Sequence, residues 1–154
     1  MIERPDLSAL APEIDPDSAW FWAALAEDVL LVPECRPHGH RFFPPMPACP
    51  HCASGELARV RASGRGTVYS WVTIHVALDP AFADDAPYTI LAVDLEGGGR
   101  MMGRLLEADA SGVSAGVAVE LTPYRVGEIV LPGFQLRGAA EAAAPNQTTK
   151  ESHA

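Results

Sequence analysis

All three cysteines of the chain and three of its five histidines fall in one stretch, CRPHGHRFFPPMPACPHC, residues 35–52. Two residues separate Cys35 from His38, two separate Cys49 from Cys52, and ten lie between the pairs. Thiolate and imidazole both bind Zn²⁺ well, and a tetrahedral site needs two short pairs, each turning back on itself to present two donors. The spacing nominates Cys35, His38, Cys49 and Cys52 as ligands of a structural Zn²⁺. His40 competes for the place of His38, and His51 lies inside the second pair, where it points outward. Four protein ligands leave no open position for water or substrate, so such a site holds a fold and does not catalyse. Two other readings stay open: a redox Cys-x2-Cys, which sits poorly after a proline-rich run, and a ribbon without metal. An odd number of cysteines clustered with histidine does not suggest a disulfide framework.

The elements that must position these donors are short. Asp15, Pro16 and Asp17 suit the N-cap and first turn of a helix over DPDSAWFWAALAED, with Trp20, Phe21, Ala24 and Leu25 on one stripe. Trp22 falls on the other side of that helix from Trp20, so it packs on a neighbouring loop or the helix is sandwiched between its own domain and a partner. DVLLVPEC reads as a strand into Cys35. Pro44, Pro45 and Pro47 keep the linker between the two ligand pairs extended. From Gly66 the pattern turns to β-branched and aromatic residues: TVYSWVTIHVAL, YTILAVDLE, RMMGRLLE, and a hairpin of VAVELTPYRV and EIVLPGFQLR around Gly127. Five strands with glycine turns and no long helix predict a mainly β chain with a small antiparallel barrel. The expected organisation is an extended arm over 1–14, the helix and ribbon over 15–62, the barrel over 63–137 and a disordered tail over 138–154.

Charge narrows the partners. The net charge of −9 and a single lysine, Lys150, disfavour binding to phosphate backbones. Arg36, Arg41, Arg59, Arg61 and Arg65 lie close in sequence and form either solvated surface or a local patch for a phosphorylated ligand. GRG at 64–66 is too short for a phosphate loop and turns the chain from ribbon into barrel. His75 follows Thr73 and Trp71 on one strand face and reads as outward or hydrogen-bonded. Asp79, Asp84 and Asp85 read as solvated loop residues, with partner contact as the alternative, and Tyr88 covers a barrel end. No run of apolar residues is long enough to span a membrane, and the N-terminus lacks the basic and apolar pattern of a secretory signal, so a cytoplasmic protein is expected.

The order of these parts is recognisable: AWFWAAL, a strand into a knuckle, FFPPMPACPHC, GRGTVYSWVTIH, APYTILAVDLEGG and LPGFQ. Over about residues 18 to 136 the chain resembles the zinc-ribbon plus OB-fold family of acyl-CoA-associated proteins, long catalogued as a domain of unknown function. The family's first knuckle is Cys-x2-Cys-Gly, and here it is CRPHG, with His38 in the second cysteine's place. The resemblance implies a rubredoxin-like ribbon packed on a five-stranded OB-fold barrel. It also implies a noncatalytic small subunit that accompanies thiolase-superfamily enzymes in hetero-oligomers and helps wall a channel for acyl-CoA. In that setting the five arginines become candidates for CoA phosphates, and Trp20, Phe21 and Trp22 for the partner interface. The sequence offers no Ser-His-Asp order, no phosphate loop and no spare thiol that would argue for a catalyst. The alternatives are a nucleic-acid-binding ribbon and barrel, disfavoured by the charge, and an independent acyl-CoA hydratase using His75 and a loop carboxylate.

Overall fold

The computed structural model describes residues 2–4, 12–77 and 79–138. Most of the expected tail, residues 139–154, lies outside the described residues. The arm expected over 1–14 contributes a strand, β1 (Ile2–Arg4). Helix α1 (Ala19–Ala26) starts later than the sequence suggests. The Asp15 carboxylate accepts the N–H groups of Asp17 and Ser18, each at 2.8 Å, and the Ser18 hydroxyl at 3.0 Å. These bonds, the Ser18 N–H foremost, hold its acid below the usual carboxylate range. Asp15 therefore caps the turn over residues 16–18, and the helix begins one turn beyond it. At the other end Asp28 takes φ +56°, Val29 donates to the Ala24 carbonyl at 2.9 Å, and Asp28 donates to Leu25 at 3.1 Å. This is a Schellman stop, with aspartate where glycine is usual.

The ribbon is a hairpin of β2 (Leu31–Cys35) and β3 (Leu57–Arg61), paired antiparallel from Leu31↔Arg61 to Cys35↔Leu57. The barrel uses β4 (Arg65–Ile74), β5 (Tyr88–Leu95), β6 (Arg100–Leu105), β7 (Ala118–Leu121) and, after β8 (Tyr124–Val126) and β9 (Ile129–Leu131), β10 (Gly133–Leu136). It closes in the order β10-β6-β5-β4-β7. Five strands were expected, all antiparallel; β10 instead meets β6 in parallel, Phe134 opposite Leu105. The expected hairpin around Gly127 keeps one register from Val126↔Ile129 out to Leu136↔Val119. Each of its arms is broken, at Thr122–Pro123 and at Pro132, because proline has no N–H for the ladder. Beyond the breaks, β8 and β9 leave the barrel and form a separate sheet with β1.

One core joins helix, ribbon and barrel. Phe21, Leu25, Leu30 and Val32 pack with Val68, Leu91, Val93, Met101, Val119 and Phe134. Burying a side chain the size of Phe21 contributes about 1.5–3 kcal/mol, so this contact fixes the helix and ribbon base on the barrel. No helix among the described residues is long and apolar enough to cross a membrane.

Two glycine sites explain how the layers meet. A Cβ on Gly66 would stand 2.5 Å from the Asp94 carbonyl oxygen and 2.6 Å from Val93 Cγ1. The backbone oxygen cannot step aside cheaply, so Gly66→Ala is expected to cost about 1–3 kcal/mol. Urea denaturation of the variant checks this. At the β5–β6 turn, Gly97, Gly98 and Gly99 all have positive φ, and Cβ atoms there would meet Arg41 or Phe42 of the ribbon linker. The turn is thus also a seat for the ribbon.

Candidate metal centre

The two ligand pairs fold as near-copies of each other. In the first, Gly39 (φ +67°) donates to the Cys35 carbonyl at 2.7 Å, and Cys35 donates to the His40 carbonyl at 2.8 Å. In the second, Ala53 (φ +58°) donates to the Cys49 carbonyl at 2.8 Å, and Cys49 donates to Ser54 at 2.9 Å. Each chain turn thus brings the residue three positions on back towards its first cysteine. His38 occupies in the first knuckle the place that Cys52 occupies in the second.

The donors converge. Cys35 Sγ lies 3.6 Å from Cys52 Sγ and 3.8 Å from His38 Nδ1, and the ligand atoms of these three residues all lie within 4.8 Å of one another. Tetrahedral bonds of about 2.0–2.3 Å to nitrogen and sulfur impose donor separations of roughly 3.3–3.8 Å, so the two separations from Cys35 match those of a Zn²⁺ site. Cys49 is outside that trio but is buried beside it, and its thiol interacts with those of Cys35 and Cys52. His40 stacks on His38 with ring centroids 5.7 Å apart and meets His51 edge-on at 4.8 Å, so both form a wall beside the cluster.

Electrostatics divides the thiols. Burial, reinforced by the bond to Cys52, pushes the Cys35 thiol up to about 11. Cys49 goes the other way: burial opposes its ionisation, but the N–H groups of His51 and Cys52 and the neighbouring thiols outweigh it and lower its pKa. Around the cluster the apolar support is thin. Cys35, Phe42 and Cys49 are its buried members, with Met46 and Leu57 partly buried against them. Two of the three buried residues are themselves donors.

The arginines expected as a patch do not share one role. Arg41 Nε bonds Glu34 at 2.8 Å, Arg59 lies over the Trp20 ring at 4.9 Å, and Arg65 stands 4.0 Å from Glu120. Arg36 and Arg61 are exposed. Arg41 also lines an open cleft of about 550 Å³ between ribbon and barrel, with His51, Gly98, Gly99 and Arg100.

The aromatic helix residues diverge as well. Phe21, nominated for a partner surface, is 1% exposed and packs on Phe43 and Trp22, so it is a core residue and that expectation is corrected. Trp20 faces the ribbon and Trp22 faces β9, each half-buried on its own chain.

His75 stands exposed just past β4, at the rim of a polar cavity of about 410 Å³. Inside it, the Thr73 and Thr89 hydroxyls are 2.8 Å apart, and Arg104 donates to Asp85 at 2.9 Å and lies over Tyr88 at 4.8 Å. Glu107 accepts the Leu136 N–H at 2.7 Å through one oxygen, while its other oxygen is buried without a partner. Asp85 is therefore not the solvated loop carboxylate expected. Arg104 escaped notice because alternation puts it with exposed Arg100 and Met102; the turn over Pro80–Asp85 and Tyr88 covers it.

Comparison with known proteins agrees with this architecture. Residues 22–58 match the ChsH2 rubredoxin-like zinc ribbon domain and residues 59–125 the ChsH2 C-terminal OB-fold domain. A DUF35 domain-containing scaffold protein of Methanothermobacter thermautotrophicus is 33% identical over 110 residues, 68% of this chain and 82% of that one. A probable enoyl-CoA hydratase alpha subunit of Thermomonospora curvata is 31% identical over 134 residues, 86% of this chain; the chain spans 41% of that subunit's length. Among solved structures, one described as an Ltp2-ChsH2(DUF35) aldolase superposes with a TM-score of 0.72 at 31% identity, over 82% of this chain and 98% of that one. With both halves of the fold matched, from the twin knuckles through the closed barrel, the chain belongs to the DUF35 family of zinc-ribbon and OB-fold proteins.

Proposed function

We propose that the chain is a noncatalytic accessory subunit of a thiolase-like enzyme complex that makes or breaks carbon–carbon bonds next to a CoA thioester. The observation that carries this reading is the correspondence of ribbon and barrel together to 98% of a DUF35 chain described in an aldolase. The subunit's own chemistry is structural. Cys35, His38, Cys49 and Cys52 hold one Zn²⁺ that fixes the two knuckles, and with those thiols engaged the chain has no cysteine left for acyl transfer. The ribbon, seated on the Gly97–Gly99 turn, then presents a stable surface to the partner and walls part of the acyl-CoA channel. Affinity capture from the native host is expected to recover a larger thiolase-superfamily chain in fixed stoichiometry. Recovery of no such enzyme would remove this reading.

The arginines serve CoA in the same proposal. Arg41 is the best placed of Arg36, Arg41, Arg59, Arg61 and Arg65, because it faces the open cleft that Arg100 and His51 share. Guanidinium groups hold phosphate by paired hydrogen bonds. Arg41→Ala is expected to raise the KM of the assembled complex for acyl-CoA while leaving its assembly and kcat unchanged. Steady-state kinetics beside size-exclusion chromatography separates that outcome from simple loss of assembly.

A further inference from the structure

The three thiols of the metal centre differ in what can reach them. Cys35 and Cys49 are buried, at 0% and 2% exposure, whereas Cys52 is exposed. The two knuckles explain the difference. Cys35 ends β2, where it pairs with Leu57 across the hairpin and donates to the His40 carbonyl. Cys49 is fixed in the same way by its backbone bonds to Ser54 and Ala53. Cys52 lies at the outer side of the second knuckle, and Pro50, His51 and Ala53 around it are exposed as well.

Exposure alone would make Cys52 an ordinary surface thiol, but its setting makes it reactive. A thiol that ligates zinc is already deprotonated, and the thiolate is the form that attacks an oxidant. Cys35 Sγ stands 3.6 Å from Cys52 Sγ, so a second thiol is in place to capture an oxidised Cys52. Exposure, thiolate character and an adjacent resolving thiol together mark a cysteine that oxidises reversibly. Cys49 lies outside the trio of ligand atoms that fall within 4.8 Å of one another, which makes Cys35 the better placed resolving thiol. A covalent S–S bond is about 2.05 Å long, so the two sulfurs must close by about 1.5 Å. The exposed turn of Cys52 supplies that movement while β2 holds Cys35.

We infer that Cys52 is an oxidation site for peroxides, and that it passes the oxidation to Cys35 as a disulfide that opens the metal centre. The Cys52 thiolate attacks one oxygen of hydrogen peroxide. The O–O bond breaks, hydroxide leaves, and Cys52 becomes a sulfenic acid. The Cys35 thiolate then attacks that sulfur; the S–O bond breaks, the S–S bond forms and a second hydroxide leaves. The two sulfurs lose two electrons in all, the peroxide gains them, and two protons from solvent turn the hydroxides into water. His38 and Cys49 are the ligands that remain, too few for a closed tetrahedral site. Only Phe42 is buried at the ribbon tip besides the cysteines, so the knuckles open once the metal is lost. Arg41 and Phe42 then leave the Gly97–Gly99 turn, and the cleft that Pro50 and His51 border loses its wall. Oxidation thus withdraws the surface that the ribbon presents to its partner. The inference rests on the zinc assignment made above, and its test keeps the two apart.

Elemental analysis of the full chain under reducing conditions comes first. An empty reduced chain removes the zinc assignment and this inference together. The zinc-loaded chain is then treated with hydrogen peroxide while free zinc is read with a chromogenic chelator. One zinc released per chain is expected, in step with one disulfide that mass spectrometry maps to Cys35 and Cys52. Dithiothreitol and added zinc should restore the starting state. Cys52→His keeps a ligand but no thiol at the exposed position, and is expected to release zinc at least about tenfold more slowly. Cys49→His keeps the reactive pair and is expected to release zinc as the wild type does. If either variant takes up no metal, the wild-type disulfide map still decides. A loaded wild type that keeps its zinc in excess peroxide overturns this inference and leaves the zinc assignment standing. A disulfide mapped to Cys49 and Cys52, or a Cys52 sulfinic acid without any disulfide, does the same. So does a loaded Cys52→His chain that releases zinc as fast as the wild type.

Discussion

Stripping the metal with a strong chelator is expected to unfold the two knuckles at the ribbon tip and leave the barrel standing. The apolar cluster at the ribbon tip has only Phe42 buried besides Cys35 and Cys49, so without cross-linking by metal little holds the two knuckles together. Zinc supplies roughly 10–16 kcal/mol in small zinc-finger peptides, far more than one phenylalanine can. The barrel keeps its own centre of Val68, Leu91, Val93, Met101, Val119 and Phe134. Hydrogen exchange should therefore show lost protection over the knuckles and their linker, residues 35–57, and retained protection at the hairpin base around Val32 and Val60 and over 65–136. Elemental analysis should give one zinc per chain before treatment. Cys35→Ser, Cys49→Ser and Cys52→Ser should each reproduce the chelated state, as should His38→Ala, whereas His40→Ala and His51→Ala should not. The pH dependence has a definite sign. Cys35, pushed up to about 11, carries its proton at neutral pH, and zinc must displace it. Affinity thus falls as pH is lowered, by about tenfold per pH unit for each proton displaced, and His38→Cys should steepen that slope. A chain without metal and indifferent to chelators would contradict the zinc assignment.

Much of this centre was legible in the sequence because metal chemistry is encoded locally. Two donor pairs with short spacing specify two knuckles; the choice between His38 and His40 stayed open in the sequence, and it is the folded turn that puts His38 Nδ1 3.8 Å from Cys35 Sγ. The strands of the barrel were legible for a related reason, since alternation and glycine turns are local signals. What was not legible depended on contacts between distant segments. Nothing near Phe21 announces that Phe43 will cover it, and the split of the last hairpin followed from Pro123 and Pro132 only once the barrel needed closing. The five arginines are neighbours in sequence, yet Glu34, Trp20 and Glu120 draw three of them apart. β3 was hidden in LARVR because its strand character depends on pairing with β2 and not on its own alternation.

The second large effect is expected where sequence reading was most misleading, in the acidic loop before β5. Asp85→Ala should destabilise the chain by about 3–5 kcal/mol, because it strands a buried cation. The side chain of Arg104 is 9% exposed and that of Asp85 15%, and they meet at 2.9 Å. Tyr88 covers the guanidinium but cannot neutralise it as a carboxylate does. The neighbouring Asp84 is exposed, so Asp84→Ala should change stability by no more than about 0.5 kcal/mol, which separates burial from loop charge in general. Arg104→Met in the Asp85→Ala background should recover most of the loss, since a buried pair replaced by apolar groups of similar volume is often neutral. The coupling between the two sites follows from the double-mutant cycle, read as urea midpoints at constant m-value. A full-sized loss in Asp84→Ala, or no recovery in the double variant, would mean that the loop is held by something other than this ion pair. The pair matters to the whole barrel because Arg104 sits opposite Gly133, at the parallel contact where β6 and β10 close it. Pulling the loop away exposes that seam, so the loss should appear as cooperative unfolding of the barrel and not as local fraying of the loop.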